Sequence, residues 1–490
     1  MWFLGSFVYY TWNYVWLGYQ TYGYIREYNV SGNHSLERLD MIIDTVSRCG
    51  SVAVKFVQWL TPKLELVFAD EAEFFSATYT QDKPTWLRKL ETLYETCPEH
   101  SLEHSLQEYE RVFHKPLTDT YEPLEVIGSG SIGQVYILRD IRTQERCVMK
   151  VVHPDIQMQI NVFQLLIGVL ALVPKVGQYL TKTIFDINDF LHDFKTQSDF
   201  LQEANNLLAF RKEYRDNSIL QIPELYQASP TILLMEYVPG TAFDDCEIPF
   251  HRKSTLFATF YMFVRSNAMF LNLNHGDLHP GNWKITKDER LVIYDFGFCW
   301  SFPEDQHHLV DLTIKTFEGT SEGRNQRDIC ATTEILMSII VYQDLYEKQT
   351  IHSLLYDHVS SDPEVGMSVT GVRISPITII KLLNSFCIPR KLKVVSSCIQ
   401  FLIILIQMQR NSIVFRFSSP QGYCYPPTKV YKERYVDCLN ICETYHIFPE
   451  YTQYIRDTLA SNHIKRKTIF DTVDMPEDIR RLALGTVDGS

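Results

Sequence analysis

The pattern of hydrophobic and polar residues changes several times along the chain. The first 25 residues are apolar and aromatic without a charged side chain, and residues 27–120 place apolar side chains at helical spacing, as in MIIDTVSRCGSVAVKFVQWL. From Tyr121 onward EPLEVIG, QVYILRD and ERCVMKVV have the composition of three consecutive β-strands. Helix-like runs at 156–182 and 184–214 follow. The pattern therefore predicts a helical start and then a small β-rich unit.

The second half of the chain is mainly helical in pattern. A further strand is expected at TILLMEYV, residues 231–238, and a helix over 251–273. Short loops and strands then surround WKIT and LVIYD, and the pattern after about residue 303 is again helical. Helices, a small β-rich lobe and a large helical lobe predict an α+β architecture of two lobes.

Composition and charge narrow the class of protein. With 45% hydrophobic and 21% charged residues the 490-residue chain is globular, and its net charge of −13 argues against a nucleic-acid partner. Eleven scattered cysteines fit reduced thiols. Segment 1–26 has neither the basic start of a secretory signal nor an arginine-rich transit pattern. Because polar Asn13 and Gln20 interrupt it, an interfacial anchor, a spanning helix and a helix packed on the protein itself stay open.

A glycine-rich turn lies between the first two predicted strands. GSGSIGQV matches G-x-G-x-x-G-x-V, a pattern whose backbone N–H groups can approach phosphate oxygens. A dinucleotide-binding loop needs a helix directly afterwards and a Walker loop needs Gly-Lys-Ser/Thr, whereas a strand follows here. The candidate phosphate-binding residues are Gly128, Gly130, Ser131, Gly133 and Val135.

Further elements of a nucleotide site follow in order. Lys150 ends the third predicted strand, where a kinase has the lysine that contacts the α- and β-phosphates. Glu203, in the predicted helix containing QSDFLQEANN, is the candidate ion-pair partner of this lysine. In LLMEYVPG, residues Glu236 to Val238 are expected to offer backbone groups to an adenine ring.

The HGDLHPGN and DFG stretches carry the chemistry. In the first, Asp277 can orient or deprotonate an attacking hydroxyl, and Asn282 can coordinate a metal ion. Asp295, at the end of LVIYD, supplies a carboxylate to Mg²⁺, which prefers oxygen ligands. Five elements in this order predict an ATP and Mg²⁺ site in an α+β, protein-kinase-like bilobal fold with an N-terminal helical extension and a large helical C-terminal lobe.

Domain boundaries and the kind of substrate follow from the same motifs. The expected units are the hydrophobic segment 1–26, the helical extension 27–120, the nucleotide-binding N-lobe with a helical insert 121–240, and the C-lobe with the catalytic loop and DFG 241–490. After DFG the chain has no A-P-E motif, so the usual docking platform for peptides is not expected. A small lipid-like acceptor, or ATP hydrolysis alone, is favoured.

This combination resembles the UbiB, or aarF-domain, atypical kinases over about residues 40–320. The shared stretches are HGDLHPGN and SIGQV, with two that resemble the family's K-x-G-Q and E-x-D motifs: Lys55-Phe-Val-Gln58, and QSDFLQEANN with Gln197, Asp199 and Glu203. The resemblance implies a kinase-like domain whose N-terminal helices cover the active site and block peptide substrates. Lys55 and Gln58 would project into that site.

The resemblance also implies partners and a location. Members of the family are membrane-associated ATPases or kinases that support ubiquinone biosynthesis or lipid handling in bacteria, mitochondria and plastids. The expected partners are membrane lipids or a lipid-like or phenolic small molecule, together with a lipid-biosynthesis protein complex. The expected location is an intracellular membrane, with the mitochondrion suggested by the family.

Departures from the family pattern keep other functions open. Val57 stands at the glycine of K-x-G-Q, Gln197 replaces the first acid of E-x-D, and Gly128 and Gly130 replace an alanine-rich loop. These changes weaken the expected suppression of protein phosphorylation but not ATP binding. One alternative is a pseudokinase-like module that binds nucleotide without turnover. Another is a small-molecule kinase of the choline and aminoglycoside type, which shares HGDxxxxN but leaves SIGQV unexplained.

Overall fold

The N-terminal extension is mainly helical in the part that the structure describes. The structure, a computed structural model, describes residues 2–68, 84–94, 99–172, 187–243, 245–304, 333, 336–341, 345–361, 376–390, 392–395, 397–404 and 438–461. The helices of the extension are α1 (Trp2–Ser31), α2 (Leu36–Cys49), α3 (Ser51–Phe68), α4 (Thr85–Glu91) and α5 (Leu102–Phe113). Val46 and Cys49 of α2 pack with Ala53 and Val54 of α3, which is the contact that their helical spacing predicts.

The small lobe is built on an antiparallel sheet. The strands up to residue 236 are β1 (Tyr121–Ser129), β2 (Gly133–Asp140), β3 (Arg146–Val152), β4 (Leu220–Gln221), β5 (Leu225–Ala228) and β6 (Ile232–Glu236). All of these except β4 form one five-stranded sheet in the order β1-β2-β3-β6-β5. The glycine-rich turn joins β1 to β2, with Gly128 opposite Val135, and Val135 in turn lies opposite Lys150.

Helices cover this sheet and continue into the second lobe. The helices are α6 (Ile156–Ala171), α7 (Ile187–Gln197), α8 (Phe200–Glu213), α9 (Phe250–Ser266), α10 (Leu345–Ser361), α11 (Pro376–Arg390) and α12 (Pro449–Ser461). The short strands are β7 (Asn274–His275), β8 (Trp283–Ile285), β9 (Leu291–Ile293), β10 (Cys299–Trp300), β11 (Ile340–Val341) and β12 (Lys393–Val394). They pair as β4-β9-β8, β7-β10 and β11-β12. Residues 397–404 and 438–445 are also helical.

Alternation along β3 sends successive side chains to opposite faces of the sheet. Val148 and Val152 join the main core, to which α7 and α8 also contribute. Met149 instead joins a second core with Tyr109 of α5. Lys150 has the parity of Val148 and Val152. It therefore points to the face that carries α8, away from α5.

The α+β two-lobe fold predicted from the pattern is the fold observed. The helix expected over 156–182 is described as far as Ala171, and residues 173–186 lie outside the described part, as does 305–332 after the DFG stretch. The pair β11-β12 was not predicted, since the pattern after residue 303 is helical. Among the described residues, none of the helices combines the length and the apolar character needed to cross a bilayer.

Candidate nucleotide-binding site

Lys150 lies where the sheet, α8 and the DFG turn meet. Its Nζ donates to both carboxylate oxygens of Glu203, at 3.0 and 2.8 Å, and to Oδ2 of Asp295 at 3.1 Å. The side chain of Glu203 is 1% exposed and that of Lys150 12%, whereas that of Asp295 is 39% exposed. A charge as buried as that of Glu203 is tolerated because it is paired. Asp295 keeps one side open to the cleft.

Burial and mutual charge set the protonation of this triad. Burial opposes the charge of Lys150, but Asp295 and Glu203 outweigh it and raise the lysine's pKa. Burial also acts to raise the pKa of Asp295, yet Lys150 and the N–H of Gly297 hold it well below its usual range. Burial raises the pKa of Glu203 to about 7, with Lys150 opposing and the Asp295 carboxylate adding to the shift. Glu203 is thus the member of the triad that titrates near neutral pH.

The HGDLHPGN loop is fixed by the ring of His275. Its Nε2 donates to the carbonyl of Asp295, and its Nδ1 accepts from the N–H of Asp277 at 3.2 Å, so one neutral tautomer satisfies both bonds. Asn282 Nδ2 donates to the carbonyl of Asp277 at 2.8 Å. Two of the predicted catalytic and metal-binding residues, Asp277 and Asn282, are therefore bonded to each other and joined through His275 to Asp295.

The contacts of Gly276 explain why this position has glycine, where protein kinases usually have arginine. Its N–H donates to the carbonyl of Phe298 at 2.7 Å, which pairs the loop with the chain after DFG. A Cβ at position 276 would lie 2.6 Å from the Phe298 ring. Any larger residue would have to displace that aromatic ring.

Helix α8 is hydrogen-bonded to the DFG turn at the backbone of Phe296. Asn206 Nδ2 donates to the carbonyl of Phe296 at 2.9 Å. Glu203 and Asn206 are three positions apart and therefore share a helix face. The Phe296 ring is fully buried, with its centroid 5.1 Å from that of Phe210. The position of α8 and the position of Asp295 are consequently linked.

The extension reaches the same cleft through Lys55 of α3. Its Nζ lies 3.4 Å from Oδ2 of Asp277. Burial acts to raise the pKa of Asp277, but Lys55 and His279 outweigh it and hold the pKa below its usual value. The lysine of the K-x-G-Q-like stretch therefore contacts the carboxylate that the sequence nominates for catalysis.

The other residues of the family-like stretches support helices. The amide of Gln58 donates to the carbonyl of Leu93 at 2.8 Å, a bond within the extension. Asp199 is the N-cap of α8, and its carboxylate accepts from a backbone N–H in the first turn at 3.0 Å. Gln197 is buried at the end of α7. In the described bonds, these side chains stabilise the frame around the cleft rather than contact Lys150 or Asp277.

The glycine-rich turn closes on itself. The N–H of Gly130 donates to the carbonyl of Gly133 at 3.0 Å, and Ser131 between them is buried. A Cβ at Gly133 would lie 2.6 Å from the carbonyl oxygen of Val151, whereas a Cβ at Gly128 would meet nothing within 4 Å. Close approach to β3 therefore requires glycine at 133 but not at 128.

The segment after β6 offers less to a nucleobase than the sequence indicates. The N–H of Glu236 donates to the carbonyl of Glu224 at 2.7 Å, and its carboxylate accepts from the N–H of Glu224 at 3.0 Å. The hydroxyl of Tyr294 donates to the carbonyl of Val238 at 2.9 Å. The carbonyl of Val238 and the N–H of Glu236 are thus already bonded within the protein, and neither is free for adenine.

Comparison with protein families identifies the part of the chain that contains this cleft. Residues 92–325 match the family described as the ABC1 atypical kinase-like domain. The cleft therefore lies mainly in a segment that is similar to an ABC1 atypical kinase-like domain. The resemblance to UbiB and aarF-domain kinases and the kinase-like fold, both predicted from the motifs, are thereby confirmed.

Individual relatives are distant. The Arabidopsis thaliana "Protein ACTIVITY OF BC1 COMPLEX KINASE 3, chloroplastic" is 26% identical over 249 residues, 48% of this chain and 35% of the relative. The "Probable protein kinase UbiB" of Cronobacter sakazakii is 26% identical over 223 residues, 41% of this chain and 40% of the relative. This chain therefore matches well under half the length of either relative. A solved structure of Rv3197 with erythromycin, from Mycobacterium tuberculosis, has a TM-score of 0.39 and 16% identity over 75% of this chain and 96% of that one.

An ABC1 kinase-like domain implies ATP with a divalent cation, and the oxygen donors of this chain fit such a complex. Asn282 uses its Nδ2 on the Asp277 carbonyl, which leaves its Oδ1 for a cation. Asp295 presents a partly exposed carboxylate. Mg²⁺ needs only one or two protein oxygens when phosphates and water complete its shell. Across the described residues, no three His, Cys, Asp or Glu side chains form a preformed metal cluster.

The sequence patterns did not indicate several residues that the structure places in or near the cleft. Asn206 could have been found, because it follows Glu203 by one helical turn. The interactions of Gly276 with Phe298 and of Tyr294 with Val238 depend on distant segments that local pattern does not join. Histidine 153, described below, was quoted only as part of a family-like stretch.

Proposed function

We propose that the chain is an atypical kinase or ATPase that binds Mg²⁺ and ATP and acts at a lipid surface. The observation that carries the proposal is the contact of Lys150 with both Glu203 and Asp295. These three residues come from a strand, a helix and a loop up to 145 positions apart. Their convergence is what an ATP site of the kinase type requires.

The residues of the cleft would divide the chemistry among them. Bound Mg²⁺ and ATP would supply the phosphoryl group and neutralise its charge. Lys150 would neutralise and orient the α- and β-phosphates, while Asn282 and Asp295 would hold the cation. Asp277, whose pKa lies below its usual value because Lys55 and His279 outweigh burial, is a carboxylate at neutral pH. It would orient the attacking hydroxyl or water and accept its proton as the bond to phosphorus forms.

The lipid surface is inferred from the exposed side of α1. Apolar and aromatic side chains recur there at steps of three and four residues: Leu4, Val8, Trp12, Val15, Tyr19 and Tyr22. The opposite side packs on the protein, where Asn13 and Gln20 are buried and Tyr14 contacts Phe163. Tryptophan and tyrosine favour the boundary between lipid and water. The exposed stripe therefore supports an interfacial anchor, with the same helix also packed on the protein.

The family resemblance supports a proposal for the phosphoryl acceptor and for the cellular location. We infer a membrane lipid or a lipid-like, phenolic small molecule as the acceptor, with ubiquinone or other isoprenoid-lipid metabolism as the setting. A lipid-biosynthesis complex would be the protein partner, and a mitochondrial membrane is the location that the resemblance suggests. Plain ATP hydrolysis coupled to a conformational change is the variant of the same proposal that needs no acceptor.

Magnesium-dependent ATP hydrolysis by the full chain, with and without liposomes, tests the proposal. Asp295→Asn should abolish turnover because an amide cannot replace the anionic ligand, and Asp288→Asn, an exposed position on the neighbouring loop, is the matched control. Turnover that rises on liposomes and disappears only in Asp295→Asn is the expected result. Equal turnover in Asp295→Asn and wild type would refute the assignment of the site.

A second candidate function is a module that binds nucleotide without turnover. It is favoured by the contact between Lys55 and Asp277, because the lysine occupies one oxygen of the catalytic carboxylate. Such a module would bind ATP and melt at a higher temperature with it. It would show no hydrolysis in either wild type or Lys55→Met. Hydrolysis that depends on Asp295 would exclude it.

A further inference from the structure

His153 bonds the glycine-rich turn at two carbonyl groups. Its ring Nε2 lies 2.8 Å from the carbonyl oxygen of Gly130, and its backbone N–H donates to the carbonyl of Ile132 at 2.9 Å. The residue follows β3 directly and is itself buried. The ring and the backbone N–H of His153 therefore fix two peptide groups of the turn. One joins Gly130 to Ser131, and the other joins Ile132 to Gly133.

A residue of the extension holds the ring of His153 in turn. His100 Nδ1 lies 2.8 Å from His153 Nδ1, and His100 Nε2 lies 2.8 Å from Ser105 Oγ. Ser105 Oγ is 2.8 Å from the hydroxyl of Tyr136, to which Gln134 Nε2 donates at 2.7 Å. The chain of hydrogen bonds runs from β2 through the extension to the glycine-rich turn.

Only one arrangement of hydrogens satisfies every member of this chain with neutral rings. A carbonyl oxygen can only accept, so Nε2 of His153 carries a hydrogen and donates to Gly130. Nδ1 of the neutral His153 must then accept from Nδ1–H of His100. His100 Nε2 consequently accepts from the hydroxyl of Ser105, which lies 2.8 Å from the Tyr136 hydroxyl. The carbonyl of Gly130 therefore requires the Nε2–H tautomer of His153, and the bond from His100 stabilises that tautomer by donating to Nδ1.

Charge on either ring would disturb this arrangement. Burial lowers the pKa of His100 to about 4, with His153 and His104 adding to the shift, and burial also lowers the pKa of His153. The groups that face the pair are His104, whose ring centroid is 4.8 Å from that of His100, and Tyr136, on which the charge of Glu99 acts. The pair is therefore neutral at pH 7.

The two bonds of His153 determine where the N–H groups of the turn point. The C=O and N–H of a planar trans peptide point in opposite directions, and the structure has no cis peptide bonds among the residues it describes. Because the carbonyls of Gly130 and Ile132 face the histidine, the N–H groups of Ser131 and Gly133 face away from it. Lys150 also lies on the opposite face of β3 from the extension helix α5. Phosphate groups would therefore approach the turn from the side opposite His153.

We propose that His153, whose Nε2–H tautomer is supported by the bond from His100, is a positioning residue that fixes the glycine-rich turn in its phosphate-binding shape. This inference rests on the proposed nucleotide function and names residues that act on that site without touching the ligand. It also assigns the extension a task beyond covering the cleft, since His100 belongs to the extension and acts on the turn through one contact.

Affinity for ATP compared with affinity for adenosine tests the inference. His153→Leu removes the donor to Gly130, so ATP should bind about fivefold or more weakly, while adenosine, which has no phosphate, should bind as to wild type. His153→Gln should restore ATP affinity because its Nε2–H can donate at the same place. His104→Gln is the matched control, because its ring contacts the Val152 carbonyl at 3.4 Å and does not bond the turn. It should bind both ligands as wild type does.

Other outcomes would overturn the inference. Equal ATP affinity in His153→Leu and wild type would do so, as would parallel losses of ATP and adenosine, which indicate general damage to the lobe. If His153→Leu does not fold, His100→Leu provides the same comparison, with His100→Asn as the variant that retains a donor toward His153. A wild-type chain that binds neither ligand would instead refute the proposed nucleotide function, and the inference with it.

Discussion

Lys55 and Asp277, separated by 222 positions in sequence, lie 3.4 Å apart between Nζ and Oδ2. The contact joins the extension to the HGDLHPGN loop. Both side chains are partly exposed, at 17% and 32%, so the pair is an accessible contact and not a buried ion pair. A contact of this kind can be broken without unfolding the domain.

Lys55→Met should therefore raise basal ATP hydrolysis. An accessible ion pair contributes about 0.2–1 kcal/mol, so its removal should release the Asp277 carboxylate and raise turnover by up to about fivefold. The free energy of unfolding should change by less than about 1 kcal/mol. Steady-state hydrolysis and urea denaturation measure the two effects.

Arg48→Met is the control for Lys55→Met. Arg48 pairs with Asp44 on the exposed side of the same extension, so its removal changes net charge without touching the cleft. Turnover that falls in Lys55→Met would show that the lysine assists catalysis instead of occupying the carboxylate.

Asn206→Ala should weaken the link between α8 and the DFG turn. The buried carbonyl of Phe296 would lose its partner, which costs about 1–3 kcal/mol of stability. Because Asp295 directly precedes Phe296, the variant should also need more Mg²⁺ for half-maximal turnover. The neighbouring exposed Asn205→Ala is the control and should match wild type in both urea denaturation and the Mg²⁺ titration.

Glu203→Gln should change how stability depends on pH. Burial raises the pKa of Glu203 from 4.5 to about 7, so the folded state binds more protons than the unfolded state between these values. Wild-type stability therefore falls as pH rises through that window. The variant lacks this titration, so its stability relative to wild type should improve by on the order of 2 kcal/mol from about pH 5 to about pH 7.5.

Urea denaturation at the two pH values measures the difference. Glu213→Gln, at the exposed end of the same helix, should show a pH profile parallel to that of wild type. A stability difference between Glu203→Gln and wild type that does not change with pH would contradict the assigned protonation. ATP hydrolysis by Glu203→Gln should fall, because Lys150 would then be held by Asp295 alone.

The sequence predicted the parts of the site that are local in the chain. Strands β1 to β3 are joined by short turns, so their order and the position of Lys150 in β3 follow from alternation and glycine placement. Asp277, Asn282 and Asp295 lie within 20 positions, on motifs whose spacing is informative. The structure brings these residues together with Glu203 through His275 and Lys150.

The rest depends on contacts between segments that no local pattern connects. Val238 was expected to be free for adenine, but Tyr294, far along the chain, engages its carbonyl. The contact of His100 with His153 crosses 53 positions. Strand β5 was missed because its four residues, LYQA, lack the alternation of a half-buried strand, and its pairing with β6 decides its conformation.

Replacing Trp12 and Tyr19 with serine should weaken binding to liposomes. The two side chains are 67% and 63% exposed on the same side of α1, and burying each in the interface should contribute about 1.5–3 kcal/mol. The double variant should therefore lose at least tenfold in affinity for liposomes in a sedimentation assay. Its melting temperature should stay that of wild type, since neither side chain is packed in the fold.

Leu102→Ser with Ile141→Ser is the control for the α1 variant. These residues are also exposed and apolar, at 43% and 48%, but lie on α5 and after β2. Equal losses of liposome binding in both double variants would mean that general surface hydrophobicity, and not the α1 stripe, drives the association.

Gly133→Ala and Gly128→Ala should differ sharply although both glycines belong to the same motif. A Cβ at position 133 would lie 2.6 Å from the Val151 carbonyl oxygen and 3.1 Å from the Phe200 ring, and the backbone contact cannot move aside cheaply. We expect a loss of about 1–3 kcal/mol of stability together with weaker ATP binding. At position 128 a Cβ would meet nothing within 4 Å, so stability should stay within about 0.5 kcal/mol of wild type. Urea denaturation measures the free energy of unfolding of both variants. Equal losses at the two positions would contradict the prediction, because they would mean that the motif requires glycine for its flexibility and not for its packing.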